Sequence, residues 1–318
     1  MDAFLDARLS RRAVQKMAFA LPVPFVAPTA LRVRAQEATP AGAVADLQQF
    51  AEDAFAFTNG GYVSFFVVTD EGVIATDPGS QSGPERAEAY RAAIASVTDQ
   101  PVRFLVYSHA HADHAIGGSV FADTATFVAH RNAVEGIVGL GDPRTPAPQV
   151  AFGDTLSIRL GGKTVELLYT GRNHSDSSIV LLYPARRILF AVDFIPVARL
   201  PYQDLGDSYP EEWIASLRWI EENLDFDVLV PGHPPLPGTK DDVTAMRTYL
   251  EDLMESVRAA RDAGLADNSP EMVAAVRADL EADYGAWGMF DEWLRLNIEG
   301  LLRIWAEEGA AGVATPAP

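Results

Sequence analysis

Directly after the apolar run 102–107, the chain reads Tyr-Ser-His-Ala-His-Ala-Asp-His-Ala-Ile-Gly-Gly over residues 107–118, which sets His109, His111, Asp113 and His114 within six positions. Where a strand hands over to a loop, alternating side chains are free to converge on a cation. His109 and His111 can therefore ligate one ion while Asp113 and His114, turned the other way, face a second. Three further candidates each lie just past an apolar run: His174 in Arg-Asn-His-Ser-Asp, Asp193 in Phe-Ala-Val-Asp-Phe, and His233 in Val-Pro-Gly-His-Pro. Five of the six histidines fall in this one constellation.

The His-x-His-x-Asp-His run, with its downstream His, Asp and His in that order, resembles the metallo-β-lactamase superfamily over roughly residues 50–235. The resemblance implies an α/β fold, a four-layer αβ/βα sandwich in which two mixed sheets pack face to face. Helices would cover both outer faces and the metals would lie at one edge. It further implies that His109, His111 and His174 bind the first of two divalent ions, that Asp113, His114 and His233 bind the second, and that Asp193 bridges them. Such a pair shares a water, lowers its pKa to roughly 7 and uses it to attack a carbonyl. Asp113 would orient that water and carry its proton. A ligand set of imidazole and carboxylate favours Zn²⁺, and it also serves Fe and Mn. Asp77, just after another strand, is where the family places a carboxylate that holds the histidine ligands from behind; the plainer reading is a turn aspartate. His130 lies outside the motif and reads as structural.

Composition narrows the function classes. Cysteine is absent, so disulfides, thiolate ligands and a cysteine nucleophile are excluded together, and Asp193 stands where the cysteine-ligand lactamases carry a Cys. The formal net charge is −19, which repels phosphate backbones and argues against a nucleic-acid substrate. A hydrophobic content of 48% is ample for a sizeable core.

Residues 1–35 carry Arg11-Arg12 ahead of an apolar stretch with a small residue, Ala35, at its end. This resembles a twin-arginine export signal, and so implies a periplasmic or exported protein. The stretch is interrupted by Pro22, Pro24 and Pro28 and is too short for a stable membrane anchor. The competing reading is a plain N-terminal arm. A linker over 36–46 leads to a catalytic domain over 47–238, a helical extension over 239–309 and a disordered tail over 310–318.

Within the domain, strands are expected over 62–68 and 73–76, 102–107, 156–160 and 164–169, 179–183 and 187–191, and 228–230, with helices over 84–97 and behind Pro210. The extension should hold helices over 241–263, 270–284 and 290–308, stopped by Gly264, Gly285 and Gly309. Its apolar stripes read first as ordinary packing; the sharper alternative is a homodimer surface or one wall of a pocket near Tyr284, Trp287, Met289 and Phe290. Two segments are candidate lids: the turn Asn59-Gly60-Gly61, flanked by Phe55, Phe57 and Tyr62, and the glycine- and proline-rich loop 131–148.

The function expected first is a dinuclear-metal hydrolase of an ester, lactone, thioester or cyclic amide in a small molecule. The alternatives are an iron-dependent redox member of the superfamily, of sulfur dioxygenase or diiron type, and a metal-binding accessory protein without turnover.

Overall fold

The computed structural model describes residues 45–313 and two two-residue strands, Leu5–Asp6 (β1) and Arg32–Val33 (β2). The export-signal reading and the last five residues of the tail lie outside the described residues, apart from those two strands.

The described chain forms two compact units. The first, drawn from Met1–Thr170, Ser177–Val192 and Asn223–Lys240, holds both sheets. One sheet runs β2, then β3 (Asp46–Ala51), β4 (Ala54–Asn59), β5 (Tyr62–Thr69), β6 (Gly72–Thr76), β7 (Val102–Val106), β8 (Thr126–His130) and β9 (Val150–Phe152). The other runs β1, then β10 (Thr155–Leu160), β11 (Lys163–Leu168), β12 (Val180–Tyr183), β13 (Ile188–Ala191) and β14 (Val228–Pro231). Pairing is antiparallel through the hairpins and parallel where a helix intervenes, between β6, β7, β8 and β9 and between β13 and β14.

Period-two alternation decides which face each side chain takes. Along β5, Phe65 and Val67 join Leu156, Leu181 and Phe190 of the other sheet in an inter-sheet core, while Phe66 turns the opposite way, among Tyr90 and Ile94. Those last two belong to α1 (Glu85–Ala95). Because both faces are covered, β7 can be a continuous apolar run, Val-Arg-Phe-Leu-Val, with little polar interruption. Tyr90 is fully buried, and its hydroxyl donates to Phe65 O at 3.0 Å. Burial pushes its pKa far above the usual value for a tyrosine. The mixed two-sheet α/β fold with C-terminal helices is the class expected from the sequence.

Two expectations need correction. The first nine residues of the candidate lid 131–148 are a helix, α3 (Arg131–Gly139), started by the buried His130, whose Nδ1 accepts from Asn132 N at 3.3 Å. Two glycines inside it cost only about 1 kcal/mol each in helix propensity, which a capped and packed helix tolerates. Helix α7 (Phe290–Val313) runs past Gly309 for the same reason.

The second unit, drawn from Gly171–Asp176, Asp193–Glu222 and Asp241–Pro318, holds most of α4 (Pro210–Asn223) and α5 (Lys240–Asp262), with α6 (Pro270–Tyr284) and α7. Ser269 caps α6, its hydroxyl accepting from Met272 N at 3.1 Å. The buried Asn297 of α7 joins the helices to the loop after Asp193: its Oδ1 accepts from Tyr249 OH at 2.7 Å and its amide donates to Pro201 O and Gln203 O. Gly300 brings α7 so close to that loop that a Cβ there would stand 1.9 Å from Asp204 O. No helix among the described residues is long and apolar enough to cross a membrane.

Candidate metal centre

Parallel pairing places the candidate ligands. β13 and β14 are in register at Ala191 and Pro231, so Asp193 and His233 each follow two residues after a paired strand end. β6 and β7 are in register at Thr76 and Val106, so Asp77 and the His109 loop likewise leave the sheet side by side. The carboxyl ends of parallel strands are where open α/β sheets gather their ligand groups.

The structure brings together all seven residues singled out by sequence. His109, His111, His174 and Asp193 each offer one ligand atom, and those atoms lie within 4.8 Å of one another. Asp113, His114, Asp193 and His233 form a second such set, so Asp193 belongs to both. His111 ends its extended stretch as the residue before the single-turn helix α2 (Ala112–Ala115), and that turn carries Asp113 and His114 to the other set. His109 and His114 are fully buried, whereas the Asp113 carboxylate is 30% exposed. His174 Nε2 lies 3.6 Å from Asp193 Oδ2, with the Trp213 ring edge-on to the imidazole at 5.8 Å. Asp193 has φ +63° and Asp77 φ +29°, conformations that aspartate tolerates better than most residues and that turn each carboxylate sharply out of its strand.

Supporting contacts fix the rings. Asp77 Oδ1 accepts from Ser108 N at 2.8 Å, and its Oδ2 lies 3.4 Å from His114 Nδ1. Ser108 Oγ in turn meets His109 Nδ1 at 2.8 Å. His233 Nδ1 lies 2.8 Å from Gly61 O. A carbonyl can only accept, so this nitrogen carries the proton and Nε2 is left with a lone pair. An Nδ1 proton on His114 toward Asp77 leaves its Nε2 in the same state. The two Nε2 atoms then face each other across 3.4 Å, with Asp113 Oδ2 3.7 Å from the one on His114. Lone pairs and carboxylates aimed at one point suit a cation, and oxygen and imidazole nitrogen together suit a divalent transition metal. The donor set therefore fits the ions that the sequence implies.

Tyr62 packs its ring on His114 at 5.7 Å and on His233 at 5.1 Å. Of the three aromatics flanking the 59–61 turn, it alone meets the ligands; Phe55 and Phe57 are buried in the core. His130 lies away from both sets, stacked on Tyr169 at 4.0 Å. Burial and the neighbouring Arg131 press its pKa down to about 4. Sequence reasoning missed Arg86, a buried guanidinium under the 59–62 turn. The available signal was its place on the core face of α1, four residues before Tyr90.

A family model described as the metallo-beta-lactamase superfamily matches residues 58–233. The chain belongs to this superfamily. The alpha subunit of 2,4-dinitroanisole O-demethylase from Nocardioides sp. (strain JS1661) is 32% identical over 179 residues, 55% of this chain and 53% of that one. The chain thus matches about half the length of that curated relative. The type 2 metallo-beta-lactamase of Elizabethkingia meningoseptica is 23% identical over 170 residues, 53% of this chain and 67% of the lactamase. Among solved structures, a metallo-beta-lactamase from Pontibacter korlensis superposes with TM-score 0.56 at 21% identity, covering 65% of this chain and 99% of its own. A double mutant of the sec-alkyl sulfatase PisA1 superposes with TM-score 0.65 at 16% identity, covering 86% of this chain and 52% of its own. At these identities the two structures speak for the fold.

Proposed function

We propose that the protein is a dinuclear-metal hydrolase acting on a small molecule that carries an ester, lactone, thioester or cyclic amide. The observation that carries this reading is the pair of four-donor sets sharing Asp193. His109, His111 and His174 would hold one divalent ion, Asp113, His114 and His233 the other, with Asp193 between them; Zn²⁺ fits the donors best, and Fe or Mn also fit. Such a pair, when bound, supplies an acidified water and a Lewis acid for the developing negative charge.

The chain's own groups do the rest. Asp113, whose carboxylate is 30% exposed, would take a proton from an attacking water and return it to the leaving group. Tyr62 shields one side of the His114 and His233 pair from solvent. Asp77 keeps the His114 ring oriented.

A second reading comes from the demethylase subunit, whose name implies cleavage of an aryl methyl ether. The deciding experiment is a turnover panel of lactones, aryl esters, thioesters, β-lactams and nitroaryl methyl ethers. It is run on protein reconstituted with Zn²⁺, Mn²⁺ or Fe²⁺ and compared with chelator-treated protein. Metal-dependent hydrolysis of an acyl substrate is expected. Turnover of the ether alone would move the assignment to the second reading, activity confined to iron with an oxidant would move it to the redox class, and inactivity across the panel despite full metal loading would leave a binding protein. We also propose export by the twin-arginine route, supported by Arg11-Arg12 ahead of the apolar stretch. Replacing both with Lys is expected to hold the precursor in the cytoplasm, and an unchanged periplasmic yield would remove the assignment. The C-terminal helices are proposed as a homodimer surface, which sedimentation of the purified protein tests directly.

A further inference from the structure

Arg86 is a cation buried to 9% exposure on α1, and its donors reach two loops and strand β5. Nε donates to Asn59 O at 3.1 Å, one Nη to Pro78 O at 2.5 Å and the other to Ser64 Oγ at 3.0 Å. Ser64 Oγ in turn donates to Asp77 O at 2.5 Å. The guanidinium also lies over the rings of Phe57 and Tyr62, 5.5 and 5.8 Å from their centroids. Burial brings its pKa down to about 10, which still leaves it charged at neutral pH.

Each loop that Arg86 holds orients one histidine. The 59–62 turn supplies Gly61 O to His233 Nδ1 and lays the Tyr62 ring against both His233 and His114. The 77–79 loop sets Asp77 Oδ2 opposite His114 Nδ1 and donates Gly79 N to His114 O at 3.0 Å. Gly79 leaves just enough room: a Cβ there would stand 2.8 Å from the Arg86 guanidinium. His114 and His233 are both in the set with Asp113 and absent from the set with His109, His111 and His174.

We propose that Arg86 is a positioning residue for the second of the two ion sites, acting through the 59–62 and 77–79 loops on His233 and His114. The proposal rests on the two-ion reading above. A planar guanidinium with donors at fixed angles can tie one acceptor from each of two loops and a third from β5 at once, which a lysine ammonium on a flexible stem does less well. Groups that orient metal ligands from behind are typically worth about 10- to 100-fold in metal affinity.

The test is titration of metal-free protein with Zn²⁺ against a chromophoric chelator, resolving two equivalents. Wild type is expected to bind two. Arg86→Gln should weaken one equivalent by about 10- to 100-fold and change the other less than threefold. Arg86→Lys should fall between the two. In a His233→Ala background, where one equivalent is already lost, Arg86→Gln should leave the remaining one nearly unchanged. Ser64→Ala, which removes one of the three acceptors, should give the same selective loss on a smaller scale and carries the test where Arg86→Gln does not fold. Equal weakening of both equivalents, or no weakening of either, overturns the proposal while leaving the two-ion site intact. A wild type that binds no metal overturns both.

Discussion

At the scale of single residues, the proposed roles of Asp113, ion ligand and proton carrier, can be told apart by substitution. Asp113 is the more exposed carboxylate and lies in one donor set only, so Asp113→Asn keeps the volume while removing the proton acceptor. The expected result is a loss of about 10² to 10⁴ in kcat, with the His109, His111 and His174 set still holding its equivalent. Stopped-flow or steady-state rates beside a metal titration check both halves, and near-normal turnover would reassign the proton. His130 offers a different test. Its folded pKa of about 4 lies below the ordinary 6.5, so the folded state binds fewer protons than the unfolded chain between those values. The neutral ring costs nothing above about pH 6.5. Stability then falls as pH drops through the window to about 4 and stays level below it, for a total of at most about 3 kcal/mol. His130→Asn keeps an acceptor for Asn132 N but cannot titrate. The stability difference between wild type and variant, from urea melts, should shift toward the variant between pH 6.5 and 4.5. A difference that stays flat over this range would show that His130 is not held neutral by the fold.

At the scale of elements, close approaches of backbone decide what a substitution does. An exposed helical Gly→Ala change is normally stabilising by about 0.5 to 1 kcal/mol. Gly300 should reverse that sign, because the new methyl would meet Asp204 O, a backbone atom that cannot swing aside. Gly300→Ala is expected to destabilise by about 1 to 3 kcal/mol, read as a lowered urea midpoint; a raised midpoint would mean that the 201–206 loop yields easily. Such contacts also mark where sequence reading stops. The strands after which His109, Asp193 and His233 emerge are apolar runs with period-two or continuous burial, and the ligands follow them at once, so the strands and the seven candidate ligands were legible. The grip of Arg86 was not, since its partners are mainly backbone carbonyls, which every residue carries and no pattern advertises. Asn297 is the same case, its amide donating to Pro201 O and Gln203 O almost a hundred positions earlier. Helix α3 was hidden for a third reason: its glycines suggested a loop, while its start rests on a histidine side chain, an unusual cap.

At the scale of the whole molecule, the metal pair is expected to be part of the fold's stability as well as of its chemistry. The two donor sets draw on residues from 109 to 233, spread over several strand ends, so an ion held there ties together segments that the unfolded chain leaves far apart. Without ions, Asp113 and Asp193 repel each other within one set, in a chain whose formal charge is already −19. An ion that binds only the folded form stabilises it by about 2.7 kcal/mol at a hundred times its Kd, so two sites contribute up to about 5 kcal/mol. For a chain of this size each kcal/mol is worth about 2 to 4 °C, so chelation should lower Tm by about 10 to 20 °C. Calorimetry of metal-replete and chelator-treated protein measures this, and restoring Zn²⁺ should restore the melt. His174→Ala, which disables one set and leaves the other whole, should show roughly half the metal-dependent shift. An equal Tm with and without metal, in protein shown by elemental analysis to have bound two ions, would mean that the unfolded chain binds the ions about as tightly as the folded donor sets do, and would overturn the stabilising role of the metal pair.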